Sequence, residues 1–411
     1  MPASPQAAPS AGLVPMSPGL VVLLLSLLLG IQPVTTDLYL PALPALTDEF
    51  GAPVSQAQLT LTTLLLAFGL SQLVWGPVSD RFGRRPVLLW GLSAFTIASV
   101  GCVVAPSMPL LILWRTLQGA AMGAAVMAAR AIVRDLYPPE AGARAMSKGL
   151  TGLGVTACLC APLGGLLADQ FGWRHALAVV PLFGAVSLGM IAWRFEETVP
   201  RKNPLALRPA ALLATWLGIV RHPTFLTWSA LSTASYSGLF TFLASSSFVF
   251  IKVLGLSRTQ YGLVMFSMSF VYILGTFMCR WLLPRYGVRR TVAIAGGMTL
   301  AGGTLLGVLA LAGLHNGWAI MLPFYLYMLG HGVHQPCGQS GAVGPFPHAA
   351  GAASALNGFL MMTAAFVIGA WMGTRLDGTV FALTNGVWLW SACIALIAWT
   401  LVQRYGDPRH V

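Results

Sequence analysis

Three ionisable features interrupt a very apolar chain, and each could do chemistry that its neighbours cannot. Asp37, in TTDLYLPALPAL (Thr35 to Leu46), is the only acid in or at the end of the first apolar run. A carboxylate taken out of water favours its neutral form, which lets such a group take up and release protons. The plainer reading is a helix cap near the membrane surface. Arg115 lies inside a later apolar run, LILWRTLQGAAMGAAV (Leu111 to Val126), with Gln118 and Gly119 within one turn. A buried guanidinium needs a partner. Asp37 and Arg115 therefore suggest an opposite-charge exchange in which protonating the carboxylate frees the arginine; a static structural pair is the alternative. His331 and His334, in YLYMLGHGVHQPCGQSG (325–341), are three residues apart and share a helix face. They could bind substrate or titrate near neutral pH, or pack as hydrogen-bonded side chains. A zinc site would need more ligands, and no Cys or carboxylate is suitably spaced, so no metal is expected.

The elements that must hold these residues are transmembrane helices. The 411 residues are 56% hydrophobic and 8% charged, far below the roughly 25% charged residues of soluble domains. A spanning helix needs about 20 apolar residues, and apolar runs fall at 17–38, 56–76, 87–105, 108–129, 144–167, 174–194, 223–251, 260–283, 291–313, 317–341, 350–372 and 380–402. These twelve predict an all-α membrane protein in five parts: an N-terminal tail (1–16), a six-helix bundle (17–195), a polar central loop (196–222), a second six-helix bundle (223–402) and a C-terminal tail (403–411). Residues 1–15 are Ala/Pro/Ser-rich without the basic start of a signal peptide. The 45 Gly and 27 Pro suit close helix packing in lipid. The six cysteines read as small packing residues, and Pro336 with its flanking glycines predicts a broken or kinked tenth helix.

Basic residues set the orientation. With the N-terminus inside, eighteen of the 23 Lys and Arg, from Arg81 to Arg409, fall on the cytoplasmic side. Arg174, Lys252, Arg258 and Arg375 fall outside, and Arg115 lies within a span. An even number of spans puts both termini in the cytoplasm. The formal charge of +12 is thus spread over loops on one membrane face, which argues against nucleic acid as a partner. The chain also repeats itself: WGPVSDRFGRRP (Trp75 to Pro86) and WLLPRYGVRRT (281–291) align Arg81 with Arg285 and Gly83 with Gly287, half a chain apart. Two related six-helix halves with a shared mid-membrane site follow.

Several of these segments resemble the major facilitator superfamily, over essentially the whole chain. GPVSDRFGRRP resembles its signature loop between the second and third helices. The resemblance implies a conformational latch made by Gly76, Asp80, Arg81, Gly83, Arg84 and Arg85; a positive-inside loop is the alternative. In the second copy Pro284 replaces the Asp, so that copy is expected to be only a hinge. D-x-Y-L-P-A-L-P and P-x-x-AG-x-ASAL-x-GF (347–359) resemble the bicyclomycin/chloramphenicol-resistance branch of drug:proton antiporters. R-x-x-Q-G resembles the helix-4 motif in which the Arg, here Arg115, is linked to proton transfer. The run Gly152 to Ala176 resembles the antiporter motif of helix 5, carried here by Gly154, Pro162, Gly164 and Gly165, with Ala161 where Gly usually precedes the Pro.

The expectation is proton-coupled export of drugs or metabolites by alternating access across a bacterial inner membrane; an importer or uniporter is the runner-up. Tyr39, Gln118, Tyr236, Phe240, His331 and His334 are the candidate substrate contacts. A monomer in contact with lipid is expected. No nucleotide-binding loop, cofactor or nucleophile–base set supports an enzyme.

Overall fold

A computed structural model describes residues 16–137, 139–199 and 202–406. The expected N-terminal tail, Arg201 and the end of the C-terminal tail with Arg409 lie outside the described residues, apart from Met16 and 403–406. The chain is helical throughout the described segments: α1 (Pro18–Thr36), α2 (Leu43–Phe50), α3 (Val54–Phe82), α4 (Arg84–Val103), α5 (Met108–Leu136), α6 (Pro139–Gln170), α7 (Trp173–Arg194), α8 (Pro209–Val220), α9 (Pro223–Ser247), α10 (Arg258–Leu311), α11 (Gly317–Val343), α12 (Ala350–Arg375), α13 (Phe381–Trp399) and α14 (Leu401–Tyr405). Among the described residues, ten helical segments are long and apolar enough to cross a membrane. The 54-residue α10 would measure about 80 Å if straight, more than twice the roughly 30 Å bilayer core. It is two spans joined at Gly287, whose φ of 70° breaks the helix. That is the expected hinge, and glycine adopts such a φ without the clash a Cβ would bring. The polar residues of α11 (27 residues) lower its hydropathy, and it completes twelve spans.

The first six spans pack chiefly on one another, α1 on α6, α3 on α5, and α4 on α5 and α7. The last six do likewise, with α10 against α11 and α13, and α9 against α11, α12 and α13. Two seams join these groups, α3 with α12 and α6 with α10. Small residues make the seams possible, since apolar side chains gain little by leaving lipid for each other and association rests on close packing. A Cβ on Gly262 would meet the Ala161 and Pro162 backbone, and one on Gly69 would meet Met362.

The α6–α10 seam is tighter at one end, while on the other side of the molecule Arg130 of α5 donates to Ser354 of α12 across the halves at 2.9 Å. Call the end that holds the Arg81–Arg85 loop the basic end. At the opposite end, Lys252 pairs with Asp48 at 2.5 Å, and Gln58 donates to the Ala244 carbonyl. There too, Asp169 of α6 accepts from the Thr259 amide (2.7 Å), the Thr259 hydroxyl (2.6 Å) and the Arg258 amide (3.3 Å), and so caps α10. Toward the basic end of α6 the packing stops. Gly154 faces open space, and Ser147, Lys148 and Thr151 are exposed.

Two expectations need correction. The central loop is not polar throughout, because α8 places twelve apolar-rich residues in it. Of the two outcomes expected for the tenth span, the break is the one overturned: α11 runs as one helix through Pro323 and Pro336. Each proline removes one intrahelical bond, but close packing of Gly330 on α10 and of Gly338 on α9 holds the helix on both sides.

Gly164 and Gly154 differ in what a side chain would meet. Gly164→Val should cost about 1–3 kcal/mol through overpacking against the Leu38 backbone. Gly154→Ala should leave the thermal midpoint in detergent unchanged or slightly raised; a scanning fluorimetry comparison of the two reads the difference.

Candidate functional site

Arg115 is fully buried, and the described residues offer it no ion pair. Its Nε donates to the Thr60 carbonyl (3.3 Å), Nη1 to Gln118 Oε1 (2.7 Å) and Nη2 to the Thr35 carbonyl (3.1 Å). The guanidinium lies 4.1 Å from the Tyr39 ring centroid, a cation–π contact worth about 2 kcal/mol when desolvated. Thr35 is in the last turn of α1, where carbonyls have no intrahelical partner and the helix dipole favours a cation. Tyr39 is held in turn by its hydroxyl, 2.6 Å from Thr60 Oγ1. Gln118 Nε2 donates to Ser99 Oγ at 2.6 Å. The expected Asp37–Arg115 pair is therefore absent: carbonyls of α1 and α3, the Gln118 amide of α5 and the Tyr39 ring satisfy the guanidinium. Tyr39 and Gln118, expected to contact substrate, are both buried in this cluster.

Asp37 caps the C-terminal end of α1 and accepts from Thr36 Oγ1 at 2.8 Å. It is not a surface cap. After Asp37 the chain turns through a single 3-10 turn (Leu40–Ala42) into α2, and Leu38, Tyr39, Leu40, Leu43 and Leu46 are buried. Prolines at positions 33, 41 and 44 enforce the break. The carboxylate lies within electrostatic reach of Cys160 on α6 and, across the interface, of the Tyr236 and Tyr261 hydroxyls. Its chain neighbours Thr35 and Tyr39 both hold Arg115, so one break in α1 carries the acid on one side and the cation on the other.

Among the antiporter-motif residues, Gly164 packs on the Leu38 backbone and Gly165 on the backbone of Arg258 and Thr259. Pro162 lies inside α6 beside Gly262. These three link the break in α1 to the start of α10, whereas Gly154 touches nothing.

In the second group, Tyr236 is half-buried and stacks on Phe240 with centroids 6.3 Å apart. Phe240 is buried beside Gly369, where α12 crosses α3. His331 Nδ1 lies 2.8 Å from Ser235 Oγ, and its ring sits 5.6 Å from Tyr272 and 6.4 Å from Tyr327. Tyr327 donates to the Ser235 carbonyl at 2.8 Å. His334 is buried against the Val292 backbone of α10. The two histidines thus turn to different neighbours, and among the described residues no group of His, Cys, Asp and Glu is arranged to hold a metal.

At the basic end, Arg84 is buried and donates to Asp80 (2.7 Å), Asp135 (2.8 Å) and Ser79 (2.9 Å). Arg85 reaches the Phe195 and Ala192 carbonyls, both at 2.9 Å. Glu197 accepts from the Arg84 and Arg85 amides and caps α4. Arg81 lies 5.5 Å from the Phe82 ring centroid. Gly83 turns the chain with φ 110° and lies against Glu197, while Gly76 faces open space. These bonds brace α3, α4, α5 and the segment after α7 within the first group. Asp135 and Glu197 escaped the sequence reading. Their signal was position: each is an acid at the basic end of a span, next to arginines with too few carboxylates.

The family profile described as Major Facilitator Superfamily matches residues 25–370. The chain is 30% identical over 346 residues to multidrug resistance protein D of Escherichia coli (strain K12), covering 83% of this chain and 85% of that protein. It is 28% identical to a chloramphenicol resistance protein of Pseudomonas aeruginosa (78% and 75% covered) and 26% identical to a bicyclomycin resistance protein homolog of Haemophilus influenzae (86% and 87% covered). Its fold is similar to the crystal structure of a D-xylose-proton symporter, with a TM-score of 0.73 at 18% identity over 93% of this chain and 96% of that one. A partially occluded inward-open structure of the xylose transporter XylE from E. coli also gives 0.73, at 15% identity over 94% and 97%.

Asp135 is the more buried of the two carboxylates that share the Arg84 charge, so removing it leaves the buried cation with Asp80 alone. Asp135→Ala should therefore destabilise the protein by about 3 kcal/mol, and Arg81→Ala should be near neutral; thermal midpoints in detergent check both.

Proposed function

We propose that this chain, which belongs to the Major Facilitator Superfamily, is a proton-coupled exporter of small organic compounds such as drugs or metabolites. It is a membrane transporter and not an enzyme. The carrying observation is the carboxylate of Asp37 at the break in α1, within electrostatic reach of Tyr236 and Tyr261 of the other half, while its chain neighbours Thr35 and Tyr39 hold Arg115. Resistance proteins among its relatives, named for chloramphenicol, bicyclomycin and multiple drugs, support export of moderately apolar organic cargo.

In this reading the protein sits in a bacterial inner membrane as a monomer, with the basic end and both termini in the cytoplasm. The halves are 17–195 and 223–402, and the α6–α10 seam, closed at the opposite end, parts toward the cytoplasm. Cargo taken up from the cytoplasm near Tyr236 is carried to the outward-open state, where a proton from outside neutralises Asp37 and the cargo leaves. Because the Leu38 backbone rests on Gly164, and Gly165 on the start of α10, the change at the end of α1 lets the outer seam close again and biases the halves toward the inward-open state. The proton is released there into the cytoplasm. The Arg81–Arg85 loop acts as a latch by keeping the basic ends of the first half rigid during this rocking. Tyr236 and Tyr272 are the substrate contacts supported best, with His331 behind them. Tyr39, Gln118, Phe240 and His334 shape the walls.

Proteoliposomes loaded with chloramphenicol test the proposal. An imposed pH gradient, acid on the face opposite the basic loops, should drive uphill movement toward that acid face. Asp37→Asn should lose this movement entirely while keeping its thermal midpoint. Undiminished uphill transport by the variant would remove Asp37 from proton coupling, and cargo moving in the same direction as protons would favour the importer reading.

A further inference from the structure

The segment joining the two halves carries a helix that transport does not use. α8, PAALLATWLGIV (Pro209–Val220), has no charged residue. At 12 residues it is about 18 Å long, too short to cross a bilayer core of about 30 Å. It packs on α9 and α12, with Ile219 buried and Trp216 partly buried. Both of those spans start at the basic end, so α8 sits at the rim of the membrane-spanning bundle. The rest of the helix is uncovered: Leu213 is 54% exposed, Leu217 45% and Val220 38%. Water is a poor neighbour for such a surface.

The ends of α8 carry the opposite chemistry. Lys202 and Arg208 precede it and Arg221 follows it, all exposed. Arg208 is the N-cap and the first turn has no acid. A cation there opposes the helix dipole, so Arg208 does not serve the helix itself. Apolar flanks between basic ends match a bilayer leaflet whose headgroups are anionic.

We propose that α8 lies in the membrane plane within the leaflet at the basic end. Leu213, Leu217 and Val220 face acyl chains, and Arg208 and Arg221 bind the phosphates of anionic lipids. The stretch before it is fastened elsewhere: the Asn203 amide donates to the Asp80 carbonyl at 2.9 Å, and Glu197 caps α4. The tether between the halves thus has one end bound to the first half and the other moored in lipid beside the second.

The test uses the full chain with Cys158 and Cys393, the two cysteines that are not buried, replaced by alanine. Spin labels go on Leu213→Cys or Leu217→Cys, in vesicles of phosphatidylcholine with or without phosphatidylglycerol. Dissolved oxygen should relax both labels more than a water-soluble nickel chelate does. Phosphatidylglycerol should cause a further loss of nickel access, and Arg208→Gln with Arg221→Gln should abolish that further loss. Nickel exceeding oxygen at both sites overturns the proposal, as does access indifferent to phosphatidylglycerol. The readout involves no transport, so it stands or falls apart from the proton-coupled export proposed above.

Discussion

A guanidinium sealed in the first half without a carboxylate is the constraint around which this protein is arranged. Burying an isolated ion is very costly unless its hydrogen bonds and charge are met. Here Arg115 is met by the exposed carbonyl end of α1, a carbonyl of α3, the Gln118 amide and the Tyr39 ring. Those partners exist only if α1 stops where it does. The prolines that end α1 therefore complete the arginine's shell and leave Asp37 just outside it, hydrogen-bonded to Thr36.

From that point the packing runs outward through small residues. The Leu38 backbone presses on Gly164, and Gly165 accepts the start of α10. Asp169, one turn further along α6, caps that same start. Substituting bulk anywhere on this line would separate elements that lipid gives no other reason to associate. The opposite arrangement holds at the basic end, where the contacts of Arg84 and Glu197 stay within one half and the seam between α6 and α10 is open at Gly154. On the α3–α12 side the halves still touch at the basic end, where Arg130 of α5 donates to Ser354 of α12 at 2.9 Å, so only the α6–α10 side is loose there.

Much of the fold was legible because lipid forbids unsatisfied backbone polar groups, so each crossing must be a complete apolar helix. The twelve runs, the Gly287 hinge and the close-packing role of Gly164 and Gly165 could all be read this way. α8 was missed because the flanking Lys202, Arg208 and Arg221 made its segment look like a polar loop, and twelve apolar residues are too few to register as a span. The Asp37–Arg115 pair was misread for a different reason. A sequence displays opposite charges but not backbone carbonyls, and it was carbonyls that Arg115 found. Sequence spacing put His331 and His334 on one face, but it could not show that Ser235 would claim one while the ring nitrogens of the other stay without a hydrogen-bond partner among the described residues.

The most direct test of the central claim is amide hydrogen exchange across residues 35–43 in Arg115→Lys. Lysine keeps the charge but cannot donate in three directions from a planar fork. If the guanidinium pins the end of α1, exchange in this segment should quicken by about tenfold or more, the equivalent of roughly 1.4 kcal/mol, while α4 and α7 stay protected. Exchange in this segment indistinguishable from the unsubstituted protein would contradict the account.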